Sequence, residues 1–293
     1  IFISPDHRYQ ETEVEEMRDA AALLTQPERV DTHSVEMCPS FSQMRRLMKC
    51  HWNANHREWT GTIKTNLVGL KARFPRGRGK HVIRIVLDDL GIEHLHAVVG
   101  GSMGSMQGFE LIAEYPELSD KAILYVSSPR NSAYDIIRRE ATLDIIEMGR
   151  KYNISAEEYM RPVRLIQNIN GKSPEYFALE LPHHEVQNHI EKFNVYKPTT
   201  FSEDNFYCQT KALYYHDISW RDDFDMDKTA NRIKTEMFII VNKQDHTVSP
   251  WEALSFAKKT HSKTLVLDNN RGHLGISHEI YRVRKAMDRF LKK

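Results

Sequence analysis

Apolar residues in the middle of the chain recur in two alternating patterns. Residues 82–90 carry them at helical spacing, and Gly91 follows at the position of a helix C-cap. The runs His94–Val99 and Lys121–Val126 are instead short, mostly apolar and contain β-branched residues, which is typical of buried strands. Between them, Met106–Tyr115 favours a helix. Strands that alternate with helices predict a mainly parallel, doubly wound sheet.

Residues 132–230 show a different pattern, in which long helical periodicities replace the strands. The predicted helices are Tyr134–Tyr152, Ala156–Asn168 and His184–Phe193. Strands return at Glu236–Asn242 and Thr264–Asp268, and helices follow them at Pro250–Lys259 and His278–Leu291. We therefore predict an α/β fold with a helical lid insertion above the sheet. Residues 1–131 would form the N-terminal part of the core, residues 132–230 the lid, and residues 231–293 the C-terminal part of the core.

Residues 1–80 have a weaker pattern. It suggests, in order, a strand at Ile1–Ser4, helices at Glu11–Leu24 and Phe41–Cys50, and a strand at Ile63–Leu70. Lys71–Lys80 is a basic loop that could neutralise a phosphate, for instance on a coenzyme. Because it lacks the spacing of a phosphate-binding loop, a solvated connector is the favoured interpretation.

Composition argues against several classes of function. Among 293 residues, 41 are basic and 40 acidic, and the net charge of +1 gives no reason to expect binding to nucleic acid or an anionic membrane. No run of about 18 apolar residues predicts a transmembrane helix, and the first residues lack the pattern of a signal peptide. Three cysteines at irregular spacing, Cys38, Cys50 and Cys208, indicate thiols in a reducing compartment. We therefore expect a cytoplasmic protein.

Histidines cluster at His183, His184 and His189, next to Glu185. A zinc site of the His-Glu-x-x-His type needs histidines at i and i+4 on one helical face. His184 and His189 are five residues apart, so a solvated helix face is the favoured interpretation. We predict no metal site.

The turn between the first strand and its helix reads Gly100-Gly101-Ser102-Met103-Gly104, a Gly-x-Ser-x-Gly motif. Between a strand and a helix this motif predicts a nucleophile elbow, in which the serine lies at a strained position on the carboxyl edge of the sheet. We expect Gly100 and Gly104 to give strand and helix room to approach. The Met103 N–H, at the helix N-terminus, would face an oxyanion. The alternative is a chance occurrence in a loop.

A serine hydroxyl needs a base within hydrogen-bond reach, and the base needs a group that fixes its tautomer. Asp245 and His273 follow the last two predicted strands. Loops at the carboxyl ends of parallel strands share one crevice, so both side chains can reach Ser102. Asp245 could instead be a turn or N-cap residue, and His273 an exposed loop histidine. The chain order Ser, Asp, His is that of the α/β-hydrolase fold.

The run Leu90–Gln107 (LGIEHLHAVVGGSMGSMQ) resembles the elbow region of homoserine O-acetyltransferases, which have the α/β-hydrolase fold. The resemblance extends over residues 82–293. Looser matches lie in the lid, at Glu185–Ile190, Glu203–Tyr207 and Ala212–Asp217.

This resemblance implies a serine acyltransferase. Ser102 would take an acyl group, acetyl in this family, from acyl-CoA, with His273 as general base and Asp245 orienting it. The acyl-enzyme would pass the group to the hydroxyl of a small amino acid such as homoserine. Acyl-CoA is then a co-substrate, no cofactor is bound, and the partners are a small-molecule acyl donor and a hydroxyl acceptor. The family also implies a homodimer through the lid helices.

The resemblance also points to substrate-binding residues and to departures from the family. Lys172 matches a lid arginine that grips the substrate carboxylate, and Tyr207 lies in a segment similar to the family's Asp-Ala-Asn-x-Tyr. Leu274 stands where the family has an aspartate for the substrate ammonium group. Residues 1–80 contain no His-Gly to mark a second oxyanion donor. Two alternatives therefore stay open: a carboxylic-ester hydrolase with the same triad, and an inactive relative that acts as a binding protein.

Overall fold

The structure is a computed structural model that describes residues 49–53, 58–62, 83–84, 87–88, 91–194 and 203–292. The elements suggested at Ile1–Ser4, Glu11–Leu24 and Ile63–Leu70 and the basic loop Lys71–Lys80 lie outside the described residues. So does most of the helix suggested at Phe41–Cys50, and its end is wrong, because Lys49 and Cys50 begin a strand. Their backbone partners come from a second strand further along the chain, which a local pattern does not reveal.

The described strands form two sheets. An antiparallel pair consists of β1 (Lys49–Asn53) and β2 (Glu58–Thr62), and a parallel sheet contains, in spatial order, β3 (Leu95–Gly101), β4 (Ser119–Tyr125), β5 (Glu236–Asn242) and β6 (Lys263–Leu267). The predicted parallel sheet is confirmed. The bounds of β5 are those predicted, and the other three strands differ from prediction by one or two residues at each end.

Helices surround the sheet and form the segment between β4 and β5. They are α1 (Met103–Glu114), α2 (Ala133–Lys151), α3 (Ala156–Asn170), α4 (Pro174–Glu180), α5 (Val186–Glu191), α6 (Glu203–Tyr214), α7 (Met226–Arg232), α8 (Trp251–Lys259), α9 (Gly275–His278) and α10 (Ile280–Leu291). The helix predicted at His184–Phe193 is a 3₁₀ turn, His183–Glu185, followed by α5. Gly91 has a φ of +65°, which suits the C-cap predicted there.

Capping serines determine where α2 and α3 begin. Ser132 accepts a hydrogen bond from the Asp135 N–H, and the Asp135 carboxylate accepts one from the Ser132 N–H. Ser155 and Glu158 form the same reciprocal pair at the start of α3. These capping boxes satisfy N–H groups that the first turn of a helix leaves without partners.

Alternate residues of β5 face opposite sides of the parallel sheet. Ile239 packs on the side of α1 and α8, where the rings of Phe109 and Phe256 meet edge to face at 5.8 Å. Phe238 faces the other side, and its ring lies 5.4 Å from that of Phe290 on α10. Helices therefore cover both faces, which explains the continuous apolar run of β5. This packing fixes the strand ends, where the candidate site lies.

Buried polar side chains join the two ends of the α2–α6 segment to the core. Nδ1 of His216, which follows α6, lies 3.0 Å from Oε1 of Glu110 on α1, and its Nε2 lies 3.0 Å from the Ser128 carbonyl oxygen. The Asn131 amide, just before α2, donates to the Tyr214 carbonyl oxygen at 3.0 Å. Because His216, Glu110 and Asn131 are buried, these hydrogen bonds fix how the helical segment enters and leaves the core.

Candidate active site

Ser102 lies at the turn between β3 and α1. Its backbone has a φ of 52° and a ψ of −123°, which residues with a Cβ rarely adopt. Its N–H donates to the Tyr125 carbonyl oxygen at 2.9 Å, and its own carbonyl accepts from the Met106 N–H at 3.1 Å. These bonds hold the strained residue between the ends of two strands and the first turn of a helix. This is the backbone geometry of a nucleophile elbow.

The close approach of β3 and α1 depends on Gly100. A Cβ at this position would lie 2.6 Å from the backbone carbon of Gly104. The expectation that Gly104 is equally crowded is wrong: a Cβ there would meet nothing within 4 Å, because that position of α1 is exposed. Gly101, which the motif analysis did not single out, is tightly packed instead, since a Cβ would lie 2.2 Å from the ring of Tyr125.

Ser105 connects the strand ends beside the elbow, and the sequence analysis did not identify it. The hydroxyl is buried, donates to the Gly100 carbonyl oxygen and lies 3.1 Å from the Tyr125 carbonyl oxygen. It also accepts from the Tyr125 N–H at 2.8 Å. One hydroxyl therefore joins the ends of β3 and β4 to the first turn of α1. A serine directly after the Gly-x-Ser-x-Gly motif is the only trace of this role in the sequence.

Asp245 lies three residues beyond β5, and its carboxylate is buried, with 2% of the side chain exposed. Its Oδ1 accepts from the N–H groups of Thr247 and Val248, at 2.8 and 2.9 Å. Its Oδ2 lies 2.7 Å from Nδ1 of His273. Asp245 is therefore both a turn residue and the partner of His273. Its Oδ1 accepts the hydrogen bonds of the turn, and its Oδ2 faces the imidazole.

His273 lies in a 3₁₀ turn after β6 and brings the three predicted side chains together. Its Nε2 lies 2.9 Å from Oγ of Ser102. Since the Asp245 carboxylate can only accept, Nδ1 carries the proton in this pair. The lone pair of Nε2 then points at the serine hydroxyl, which donates to it. The structure therefore places Ser102, His273 and Asp245 in one hydrogen-bonded series, although the first two are 171 residues apart in sequence.

Helix α2 contacts the loop that carries Asp245. Nη2 of Arg138 donates to the Thr247 carbonyl oxygen at 2.7 Å. Burial lowers the pKa of the Arg139 guanidinium to about 10; the positive charge of Arg138 acts in the same direction, while Asp135 and Asp245 oppose it. The guanidinium groups of Arg138 and Arg139 thus both contact the loop that carries Asp245, at the Thr247 carbonyl oxygen.

Met103 is the first residue of α1. Its N–H belongs to the first turn, whose N–H groups have no acceptors within the helix and collectively favour an anion. On α6, Nε2 of Gln209 approaches the Met103 sulfur at 3.8 Å, so this helix reaches the turn after β3. Residues 1–80, where a second oxyanion donor would be expected, lie largely outside the described part of the chain.

Lys172 follows α3 and lies beside the turn that carries His273. A Cβ on Gly272 would be 2.7 Å from Cα of Lys172. The Lys172 ammonium lies 3.7 Å from the ring centroid of Tyr176, and the Arg271 guanidinium lies 4.8 Å from the same centroid. Two basic side chains therefore lie over one aromatic ring.

Tyr207 lies on α6 and contacts α2. Its hydroxyl donates to Oε1 of Glu147 at 2.6 Å. The charged groups of Arg150 and Lys211 lie over its ring, at 4.5 and 5.0 Å from the centroid. These contacts place Tyr207 in the packing between α2 and α6.

In the part of the chain that the structure describes, no three or more His, Cys, Asp or Glu side chains are grouped so that they could hold a metal ion. In the histidine cluster at residues 183–189, Nε2 of His189 lies 2.9 Å from Oδ1 of Asn168. Within the same described ranges, none of the helices has the length and apolar character needed to cross a membrane.

Comparison with known proteins shows the family and the fold of the chain. Residues 80–278 match the family model described as the alpha/beta hydrolase fold. The homoserine O-succinyltransferase of Ectopseudomonas mendocina is 26% identical over 235 residues, which cover 70% of this chain and 62% of the relative. The homoserine O-acetyltransferase of Methanosalsum zhilinae is 25% identical over 228 residues, 70% of this chain and 44% of the relative. An ethyl acetate hydrolase of Pseudomonas veronii is 25% identical over 205 residues, which cover 66% of this chain and 58% of the relative.

An acetylester hydrolase from Corynebacterium glutamicum has the same fold, with a TM-score of 0.64 at 20% identity over 76% of this chain and 69% of that one. The chain spans less than two thirds of the length of the homoserine O-succinyltransferase, the homoserine O-acetyltransferase and the ethyl acetate hydrolase. The resemblance to homoserine O-acetyltransferases and the predicted fold class are confirmed. Since the family model matches more than half of its residues, the chain belongs to the α/β hydrolase family.

Proposed function

We propose that this protein is a serine-dependent acyltransferase that moves an acyl group, acetyl in the simplest case, from acyl-CoA to the hydroxyl of a small amino acid such as homoserine. The proposal rests on the hydrogen-bonded series from Ser102 Oγ through His273 to Asp245, with distances of 2.9 and 2.7 Å. A nucleophile, a base and an orienting carboxylate within hydrogen-bond reach can activate a serine. The homoserine O-acyltransferases among its relatives support the choice of reaction.

In the first half-reaction, Oγ of Ser102 attacks the carbonyl carbon of the thioester while its proton passes to Nε2 of His273. The carbonyl oxygen becomes an oxyanion, and the imidazolium is stabilised by the Asp245 carboxylate. Collapse of this intermediate breaks the carbon–sulfur bond. The leaving thiolate takes the proton from Nε2, so that free CoA departs and an acyl-serine ester remains.

The second half-reaction reverses the proton transfers. The acceptor hydroxyl gives its proton to Nε2 of His273 and its oxygen attacks the acyl carbon. The ester bond to Ser102 then breaks, and Oγ recovers the proton from the imidazolium. The products are the O-acyl amino acid and the original enzyme.

The Met103 N–H is the oxyanion donor in this proposal. It lies in the first turn of α1, directly after the nucleophile, so the helix dipole adds to its hydrogen bond. Loss of one such donor lowers the turnover number by about 100- to 1000-fold in a well-studied serine protease. Because it is a backbone group, its contribution depends on the strained geometry at Ser102 rather than on the side chain of residue 103.

Lys172 is the candidate for binding the carboxylate of an amino-acid acceptor. Its backbone packs against Gly272, the residue before His273, and its ammonium group lies over the Tyr176 ring. A lysine supplies charge to a carboxylate but not the two parallel hydrogen bonds of an arginine. Tyr207 would reach a substrate only after its hydroxyl leaves Glu147, so we rank it below Lys172.

Hydrolysis of small carboxylic esters is the second candidate function. Leu274, directly after the imidazole, is 54% exposed, and an apolar side chain there offers no charge to an acceptor's ammonium group. Similarity to an ethyl acetate hydrolase supports this alternative. Both functions share the acyl-serine and differ in whether an alcohol or water removes the acyl group.

Release of CoA from acetyl-CoA, measured with and without homoserine or serine, tests the proposal. A transferase is expected to release CoA faster when the acceptor is present and to form the O-acetyl amino acid in equal amount. A release rate that ignores the acceptor and yields acetate would replace the transferase with the hydrolase. Ser102→Ala is the control for both, and equal rates in this variant and the wild type would reject an acyl-serine altogether.

A further inference from the structure

The side chain of Asn242 lies at the carboxyl end of β5, under the loop that carries His273. It is fully buried. Its Nδ2 lies 2.7 Å from the Gly272 carbonyl oxygen and 3.0 Å from the Asn269 carbonyl oxygen. Both acceptors belong to the loop after β6, and one is the carbonyl group directly before His273. The amide therefore holds the backbone of this loop at two positions.

The same residue also holds the loop that carries Asp245. The Asn242 carbonyl oxygen accepts from the Asp245 N–H at 3.1 Å, and its Oδ1 accepts from the Gln244 N–H at 3.4 Å. Oδ1 also accepts from the Asn269 N–H at 3.3 Å. One buried residue is thus hydrogen-bonded to both loops whose side chains form the Asp245–His273 pair.

Neighbouring residues keep this amide in place. A Cβ on Gly275 would lie 2.3 Å from Nδ2 of Asn242, so only glycine leaves room for it. Asn269 is anchored in turn, because its Nδ2 donates to Oε1 of Glu279 at 2.7 Å and lies 3.3 Å from the Gly275 carbonyl oxygen. Removal of the Asn242 amide would leave the Gly272 carbonyl oxygen buried without that donor, which is costly in a packed interior.

We propose that Asn242 is a positioning residue that sets the separation of Asp245 and His273 through the backbones of their loops. It acts without touching substrate. The kinetic part of this inference rests on the proposed function, whereas the hydrogen-bond geometry does not. In enzymes, a misplacement of about 1 Å can lower the rate about 100-fold.

The test compares Asn242→Ala with Thr235→Val in the full chain. Thr235 is a matched control, because it is buried just before the opposite end of β5 and its hydroxyl donates to the Ser119 carbonyl oxygen at 2.9 Å. Two readouts are taken: the rate at which a fluorophosphonate labels Ser102, and the downfield proton resonance of the Nδ1–H of His273. We expect Asn242→Ala to be labelled about 10- to 100-fold more slowly and to lose the resonance, while Thr235→Val keeps both.

Each other outcome is also decisive. A folded Asn242→Ala with wild-type labelling and resonance overturns the proposal, and so does equal loss in Thr235→Val. If Asn242→Ala does not fold, Gly275→Ala replaces it in the test, because its Cβ displaces the Asn242 amide without deleting it. A wild-type labelling rate and resonance in Gly275→Ala then overturn the proposal. If the wild type is not labelled but its resonance is present and disappears in Asn242→Ala, the proposed function fails and the positioning role stands.

Discussion

A side chain on Gly272 would overlap the backbone of Lys172, because its Cβ would lie 2.7 Å from the Lys172 Cα atom. Gly272 directly precedes His273 and has a φ of +57°, which glycine adopts without steric cost. The segment after α3 therefore packs against the turn that carries the imidazole. This contact joins the segment between α3 and α4 to the turn of the proposed general base.

We expect Gly272→Ala to slow fluorophosphonate labelling of Ser102, because the new Cβ must displace either Lys172 or the His273 turn. Gly91→Ala is the matched control: Gly91 has a φ of +65°, but a Cβ there meets nothing within 4 Å. Both variants place an alanine in the left-handed region of the backbone, which lowers the free energy of unfolding by about 1–2 kcal/mol. Only in Gly272→Ala should the free energy of unfolding, measured in urea, fall by more than this amount. Equal effects on stability and labelling in the two variants would show that the contact with Lys172 is unimportant.

The two glycines of the Gly-x-Ser-x-Gly motif should differ in stability tests. Gly100→Ala places a Cβ 2.6 Å from the backbone of Gly104, and overpacking of this kind costs about 1–3 kcal/mol or more. Gly104→Ala meets open space on an exposed helix position and should gain up to about 1 kcal/mol from helix propensity. Urea unfolding measures both. A Gly104→Ala variant as unstable as Gly100→Ala would refute the steric account of the elbow.

Lys172→Met tests the proposed contact with an acceptor carboxylate. Hydrogen bonds to charged groups contribute about 1.5–3 kcal/mol, so KM for homoserine should rise about 10- to 100-fold. The labelling rate of Ser102 should not change, since the Lys172 backbone stays against Gly272. Lys234→Met is the control, because that ammonium pairs with Glu117 on the surface. An unchanged KM in Lys172→Met would remove Lys172 from the acceptor site.

Acid should weaken the anchor of the His273 loop. Hydrogen bonds from Asn269 and then Arg282 lower the pKa of Glu279 below its ordinary 4.5, against a smaller opposing effect of burial. A carboxyl group with a depressed pKa stabilises the fold above its unfolded pKa, and this contribution is lost as pH falls through the folded pKa. Wild-type stability in urea should therefore fall more steeply below about pH 4.5 than that of Glu279→Gln. Parallel curves for the two proteins would contradict this.

The strand ends that carry Ser102, Asp245 and His273 could be predicted from the sequence, because the short, mostly apolar runs with β-branched residues before them are typical of strands. Parallel strands bring their carboxyl ends to one edge, so three distant loops converge without further information. The order of strands and helices could likewise be predicted, because strand-like and helix-like apolar patterns alternate along the chain.

Other features depend on contacts that local patterns do not show. Whether a position needs glycine depends on which atoms lie opposite it in the fold: the Tyr125 ring crowds Gly101, whereas nothing within 4 Å faces a Cβ at Gly104. Ser105 and Asn242 look like ordinary polar residues next to apolar runs, and their roles appear only when neighbouring strand ends are in place. The β1–β2 pairing likewise depends on a partner strand rather than on helical or strand periodicity within residues 41–50.

The central claim is that Ser102 is a nucleophile activated by His273 and Asp245. Labelling of the folded full chain with a fluorophosphonate, followed by mass spectrometry of its peptides, tests this most directly. We expect a single adduct on Ser102, none in Ser102→Ala, and labelling slowed on the order of 10⁴-fold in Asp245→Asn, the loss seen when the equivalent aspartate of a serine protease is replaced. A folded protein that takes up no label at Ser102, or labels as fast without the imidazole of His273 as with it, would contradict the claim.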